Sequence, residues 1–146
     1  MQVKLAAVQA VIFIALLFAA SVCDLKKREI PDVLNGAIAL TALLSFTPWN
    51  FLGVLTGLPF LIAAMTCGGM GGGDIKLMAA CGLVLGLPGG ITATILGLSA
   101  MLPVCGIVTL VRRLRGNGNK IPYPLGPFLA AGCLAAYFMN TGGLIL

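Results

Sequence analysis

Residues 68–76 read Gly68-Gly69-Met70-Gly71-Gly72-Gly73-Asp74-Ile75-Lys76, a glycine-rich stretch that separates two apolar segments of the chain. Five of its first six residues are glycine, and they deliver one aspartate to the start of the second apolar segment. The whole chain has only four acidic residues. A carboxylate at the centre of a membrane helix costs about 3 kcal/mol, so we regard Asp74 as a functional candidate.

The composition excludes an ordinary soluble protein. Sixty percent of the 146 residues are hydrophobic and only 9% are charged, whereas charged residues make up about 25% of a typical soluble domain. The length predicts a single domain, residues 1–146. The net charge of +5 does not indicate nucleic-acid binding, because the basic residues cluster between apolar segments. We therefore predict a multi-pass protein that contacts membrane lipid and no nucleic acid.

Missing and scattered residue types narrow the chemistry further. The chain has no histidine, which excludes Ser-His and Cys-His catalysis and histidine-ligated metals. The cysteines form no Cys-x-x-Cys pair, and we predict that they are packing residues rather than zinc ligands or disulfides. They are Cys23, Cys67, Cys81, Cys105 and Cys133. We expect neither a metal nor a cofactor.

The apolar segments predict an all-α fold, a bundle of six transmembrane helices. A membrane helix needs about 20 apolar residues, and polar or Gly/Pro-rich stretches separate the segments. The predicted helices are about 4–22, 33–47, 51–67, 75–87, 91–111 and 124–140. We interpret the first as a retained helix rather than a signal peptide, because Val22 is too bulky for a cleavage box before Cys23.

The charges predict the orientation of this bundle. Six spans place the loops 1–2, 3–4 and 5–6 on one side, and the other two internal loops carry no charge. Loops 1–2, 3–4 and 5–6 together hold eight of the nine basic residues, namely Lys26, Lys27, Arg28, Lys76, Arg112, Arg113, Arg115 and Lys120. The positive-inside rule makes this face cytoplasmic and places both termini outside. The predicted location is the plasma (inner) membrane.

Asp24 and Asp74 should lie on this cytoplasmic face, at the boundaries of the first and fourth helices. If those helices are neighbours, the two carboxylates share a proton, because both cannot ionise easily. One can then act as a general base on water and the other as an acid. The glycines of residues 68–73, which include Gly71, Gly72 and Gly73, permit unusual backbone angles and let a substrate strand come close to the carboxylate.

Other interpretations use the same residues differently. Asp74 alone could cap the fourth helix, since aspartate is a favoured cap and stabilises the helix dipole. Asp24 alone could be an interface residue beside the basic cluster. Together they could serve a small proton-coupled transporter, although its carboxylates would be expected near the midplane of the membrane. A non-catalytic scaffold would leave the paired acidic motifs unexplained.

Three motifs carry a resemblance to a known family. Gly71-Gly72-Gly73-Asp74 fits the GxGD motif, and Asp74-Ile75-Lys76-Leu77 extends it in the form found in prepilin peptidases. Asp24, a basic run and Ile30-Pro31-Asp32-Val33-Leu34-Asn35 are similar to that family's first catalytic region. Residues 121–129 are similar to the start of its last helix. The chain therefore resembles the type IV prepilin peptidases over about residues 5–140.

The resemblance implies a membrane aspartic endopeptidase that cuts the leader of type IV prepilins or pseudopilins at the cytoplasmic face, with Asp24 and Asp74 as the catalytic pair. Pro31, Asp32 and Lys76 belong to the matching motifs as substrate-binding or structural residues, and we expect Asp32 to cap the second helix. The chain lacks the paired-cysteine loop of longer members. It is therefore similar to the short Flp-pilus or archaeal enzymes, and we expect no N-methylation. The oligomeric state stays open.

Overall fold

The chain is helical throughout the part that the computed structural model describes, residues 2–45, 47–67, 71–116 and 124–141. Its α-helices are α1 (Gln2–Lys27), α2 (Asp32–Thr41), α3 (Leu58–Cys67), α4 (Gly72–Leu114) and α5 (Gly126–Thr141). Two 3₁₀ segments, Ala42–Ser45 and Pro48–Gly57, lie between α2 and α3. The all-helical prediction is confirmed.

The helices suit a membrane. Within the described ranges, three stretches are long and apolar enough to cross one: Ala6–Lys27, Pro48–Thr66 and Gly72–Leu114. Large apolar side chains such as Phe18 and Leu102 are more than two-thirds exposed on the outer surface, where lipid rather than water suits them. The protein is therefore a membrane protein, while the count of six spans and the orientation of the termini remain predictions.

The helix ends differ from the predicted ones in a way that matters for the acidic residues. α1 continues to Lys27 instead of ending near residue 22, so Asp24 lies within a helix. Lys26 and Lys27 are good helix formers, and their charges suit the negative end of the helix dipole. The helix ends because Arg28 adopts a left-handed conformation with φ 55°. α4 likewise begins at Gly72 rather than near residue 75, which places Asp74 in its first turn.

The long helix α4 folds back on itself at Gly86, where φ is 73° and ψ is 173°. A straight helix would hold residues 78 and 97 about 28 Å apart. Yet two adjacent residues of α5 reach both of them: a Cβ on Gly132 would lie 2.6 Å from the Gly97 nitrogen, and Cys133 contacts the Met78 sulfur at 3.9 Å. The two halves, 72–85 and 87–114, therefore lie side by side.

The second 3₁₀ segment packs on this hairpin through small residues. A 3₁₀ helix has three residues per turn, so Asn50, Gly53 and Thr56 share one face. Gly53 touches Gly82 backbone to backbone, and the Thr56 hydroxyl donates to the Met78 carbonyl at 3.0 Å. Small residues that allow close backbone approach are typical of helix contacts in membranes.

The core lies between α1, α2, the first half of α4, and α5. Its fully buried large side chains are Phe13, Leu17, Ile38, Leu77, Met78, Cys81, Leu129 and Cys133. Cys81 and Cys133 thus pack in the core as the sequence predicts. The beginnings of α2, α4 and α5 and the end of α1 meet at one end of this core.

Candidate active site

Asp24 and Asp74 face the same cavity at that end of the core. Their side chains come from α1 and α4, are only 5% and 6% exposed, and both line this cavity. The cavity has a volume of about 350 Å³. Its lining also includes charged and glycine residues, which are Arg28, Glu29, Gly71, Gly72, Gly73 and Lys76, together with Ile30. The structure therefore brings the predicted pair together.

The start of α5 holds the carboxylate of Asp24. The backbone N–H of Gly126 donates a hydrogen bond of 2.9 Å to Asp24 Oδ2 across 102 residues of sequence. Asp24 lies near the C-terminal end of α1, where the helix dipole disfavours a negative charge. The N-terminus of α5 offsets this effect, because its first N–H groups have no partner within the helix and favour anions.

Gly126 leaves no room for a side chain at this contact. A Cβ there would lie 2.7 Å from Asp24 Oδ2 and 2.9 Å from its Cγ. Sequence reasoning included Gly126 only as part of the motif at 121–129 and assigned it no role beside Asp24. Residues 121–123 of that motif lie outside the described residues, so the structure describes only residues 124–129 of it.

Asp74 is held differently. It lies in the first turn of α4, whose N-cap is Gly71, and no side chain makes a capping hydrogen bond there. The backbone N–H of Asp74 donates to the Gly71 carbonyl at 3.1 Å. Its side-chain atom Oδ1 is buried without a hydrogen-bond partner among the described residues. Helix capping therefore does not account for this carboxylate.

The glycines before Asp74 matter because they lack a side chain, and not because of their backbone conformation. Gly71 has φ −67° and ψ 134°, and Gly72 and Gly73 are helical, so these three glycines do not use the unusual backbone angles that glycine permits. Among the described residues, a Cβ on Gly72 would meet nothing within 4 Å, whereas one on Gly73 would lie 3.1 Å from Ile30 Cβ. Residues 68–70 lie outside the described residues.

The start of α2 lies against the start of α4, next to the residues that line the cavity. Pro31 occupies the cap position of α2, and no side chain makes a capping hydrogen bond. The Asp32 carboxylate instead accepts two hydrogen bonds from the Lys76 ammonium, at 2.7 and 2.8 Å. The expected cap by Asp32 is therefore not formed, because Lys76 of α4 offers a charged donor within reach. Both side chains of this ion pair are more than half exposed.

Asn35 is a residue near the site that sequence reasoning left without a role. It is buried, and its amide donates a long hydrogen bond of 3.5 Å to the carbonyl of Gly73, the residue before Asp74. Asn35, Ile38 and Thr41 form the buried stripe of α2. A polar residue on such a stripe is a signal that the sequence offered, because a core-facing position is ordinarily apolar.

Comparisons with known proteins found a matching family and a similar curated protein. The model of the type IV leader peptidase family matches residues 11–111. The prepilin leader peptidase/N-methyltransferase of Bacillus subtilis (strain 168) is 35% identical over 139 residues, which cover 88% of this chain and 54% of that protein. The chain thus spans about half the length of the curated relative it matches. No solved structure matches significantly. These matches favour the peptidase interpretation over the transporter.

Proposed function

The chain belongs to the type IV leader peptidase family, and from this premise we propose that it is an aspartic endopeptidase of the plasma membrane. Its substrates are type IV prepilins or pseudopilins, from which it removes the leader peptide at the cytoplasmic face. One observation carries the proposal: two of the four acidic residues are buried on different helices and face a single cavity. Aspartic proteolysis requires such a pair.

The surroundings of the two carboxylates divide their roles. Asp24 accepts the Gly126 N–H at the N-terminus of α5, where the positive end of the helix dipole faces the carboxylate. Asp74 Oδ1 has no such donor among the described residues. We assign the negative charge to Asp24, which acts as the base, and the shared proton to Asp74, which acts as the acid.

The reaction then proceeds in two steps. Asp24 takes a proton from water as the water oxygen attacks the scissile carbonyl carbon, and Asp74 gives its proton to the carbonyl oxygen. The product is a neutral tetrahedral diol. Asp24 next gives its proton to the leaving nitrogen, the C–N bond breaks, and Asp74 recovers a proton from a hydroxyl of the diol. Both carboxyls return to their starting states, so no cofactor enters the balance.

Glycine gives the scissile strand its access. The wall beside Asp74 presents Gly71 and Gly72, and a Cβ on Gly72 would contact none of the residues that the structure describes. An extended peptide can therefore lie close to the backbone of the α4 N-terminus.

The reversal of α4 at Gly86 supports six spans, since it separates the predicted fourth and fifth helices. That topology puts the site on the cytoplasmic face.

We further propose that this chain cleaves without methylating the new N-terminus. None of its cysteines forms the Cys-x-x-Cys pair of the longer members. Incubation of purified chain, prepilin and a methyl donor, followed by mass spectrometry of the product, should give an unmodified N-terminus. A mass increase of one methyl group would contradict this part of the proposal.

Leader cleavage in membranes tests the function. Asp24→Asn and Asp74→Asn nearly preserve shape, and each should lower the rate by about 10²- to 10⁴-fold, the range for general acid–base groups. Asp32→Asn is the matched control, because Asp32 is exposed and paired with Lys76. A parent that cuts while either Asn variant at 24 or 74 cuts equally well would refute the pairing. A parent that cuts no prepilin would refute the substrate assignment.

A further inference from the structure

The buried side of the site contains a polar residue that the two-carboxylate reaction does not use. Asn35 lies on α2 and is 6% exposed. Within the described part of the chain, only two buried side-chain atoms lack a hydrogen-bond partner, Asn35 Oδ1 and Asp74 Oδ1. Asn35 is hydrogen-bonded to the Gly73 carbonyl, and Asp74 follows Gly73 in the sequence.

Packing alone does not explain an asparagine at this position. Its neighbours on the buried stripe are Ile38, which is fully buried, and Thr41, whose hydroxyl bonds back to the Ile38 carbonyl. A leucine would fill the stripe without leaving a buried oxygen unpaired, and an unpaired buried acceptor is costly. The residue therefore costs stability where an apolar one would not, which is typical of residues that serve the site.

The contact that Asn35 makes bears directly on Asp74. Its amide holds the carbonyl of Gly73, one residue before the carboxylate, and a Cβ on Gly73 would lie only 3.1 Å from Ile30 Cβ. Nearby, Lys76 and Asp32 join the same two helices on the exposed side. The start of α4 is thus tied to α2 by an exposed ion pair and by a buried amide.

We infer that Asn35 is a positioning residue for the peptidase: its amide fixes the first turn of α4 and so sets the direction of the Asp74 carboxylate. The bond is long at 3.5 Å, and catalytic hydrogen bonds are often long before substrate binds. Its contribution is orientation, since a misplacement of about 1 Å at a reacting group can lower a rate by about 10²-fold. The expected effect on turnover rests on the proposed function, whereas the expected effect on the direction of the Asp74 carboxylate does not.

Asn35→Leu tests the inference in the full-length protein in membranes or detergent. We expect kcat for prepilin cleavage to fall by about tenfold or more with KM changed by less than about twofold. The thermal unfolding midpoint should stay equal or rise, because the unpaired oxygen is gone. Asn35→Gln keeps an amide on a longer side chain and should retain more activity than the leucine variant.

Gln9→Leu is the matched control. Gln9 is also buried, and its amide donates to the Thr41 carbonyl of α2 at 3.0 Å, but it does not line the cavity. This variant should lose stability and keep the parent kcat. If Asn35→Leu loses activity only in proportion to lost folded protein, or keeps the parent kcat, the positioning role is overturned.

A second readout needs no substrate. An apolar carbodiimide adds to carboxyl groups in surroundings of low polarity, and mass spectrometry counts the adduct at Asp74. Asn35→Leu should change the rate of this labelling by about threefold or more, whereas Gln9→Leu should not. If Asn35→Leu changes the labelling rate but the parent protein cuts no prepilin, the proposed function is wrong and the positioning role stands. Unchanged labelling with unchanged kcat in an active enzyme would defeat the positioning role alone.

Discussion

The two carboxylates of the cavity are equally buried but are held by different parts of the chain. Asp24 is held by α5, whose first backbone N–H reaches it from 102 residues away. Asp74 is held by its own helix turn, and that turn is tied to α2. A backbone donor at a helix N-terminus favours an anion, while an unpaired buried oxygen does not. Two identical side chains therefore acquire different roles because different hydrogen-bond donors surround them.

Chemical labelling gives the largest contrast between the two. An epoxide alkylates an ionised carboxylate, which opens the ring, whereas a diazoacetyl ester needs a protonated carboxyl, which protonates the diazo carbon before nitrogen leaves. In the parent protein we expect the epoxide on Asp24 and the diazo compound on Asp74, each read by peptide mass spectrometry. Asp24→Asn and Asp74→Asn should each lose only their own label. The reverse pattern of labels would exchange the roles of base and acid.

Gly126→Ala should disturb the contact that holds Asp24. The added Cβ would lie 2.7 Å from Asp24 Oδ2, so the carboxylate must move or α5 must shift. We expect kcat to fall by about 10²-fold, the effect of misplacing a reacting group by about 1 Å.

Gly36→Ala is its control, because a Cβ there meets nothing within 4 Å and Gly36 lies on α2. That variant should keep the parent rate and gain slightly in helix stability. Equal rates for Gly126→Ala and the parent would show that the α5 contact does not position Asp24.

Gly72→Leu should act on the Asp74 side, and on the substrate rather than on the fold. Among the described residues, no atom outside the backbone of α4 and the adjacent residues lies within 4 Å of the added Cβ, so insertion and unfolding temperature should stay unchanged. The side chain would occupy the path of the peptide, and we expect KM to rise about tenfold, since overpacking costs about 1–3 kcal/mol.

Gly73→Ala separates the two effects, because its Cβ would press on Ile30 at 3.1 Å. This variant should lose stability, which Gly72→Leu should not. A Gly72→Leu enzyme with the parent KM would show that the strand does not pass this wall.

The sequence predicted the helical class and brought forward both carboxylates because charge is rare in this chain and its position along the apolar segments is informative. It did not predict that α1 continues past Asp24 or that α4 includes Gly72, because a glycine has low intrinsic helix propensity and tertiary contacts override it. Nor could it predict that Gly126 would donate to Asp24. That contact joins residues 102 positions apart, and only the packing of α5 against α1 creates it.

The smallest effect belongs to the exposed ion pair. Asp32 and Lys76 are more than half exposed, and such pairs contribute less than about 1 kcal/mol because water and salt screen them. Asp32→Asn and Lys76→Gln should each change kcat by less than about threefold. The double variant should show a coupling energy below about 1 kcal/mol in a double-mutant cycle. A loss as large as that of Asn35→Leu would mean that the exposed tie, rather than the buried amide, fixes the start of α4 against α2. The direction of the Asp74 carboxylate would then depend on the salt concentration of the surrounding solution, and cleavage rates measured from low to high salt would reveal it.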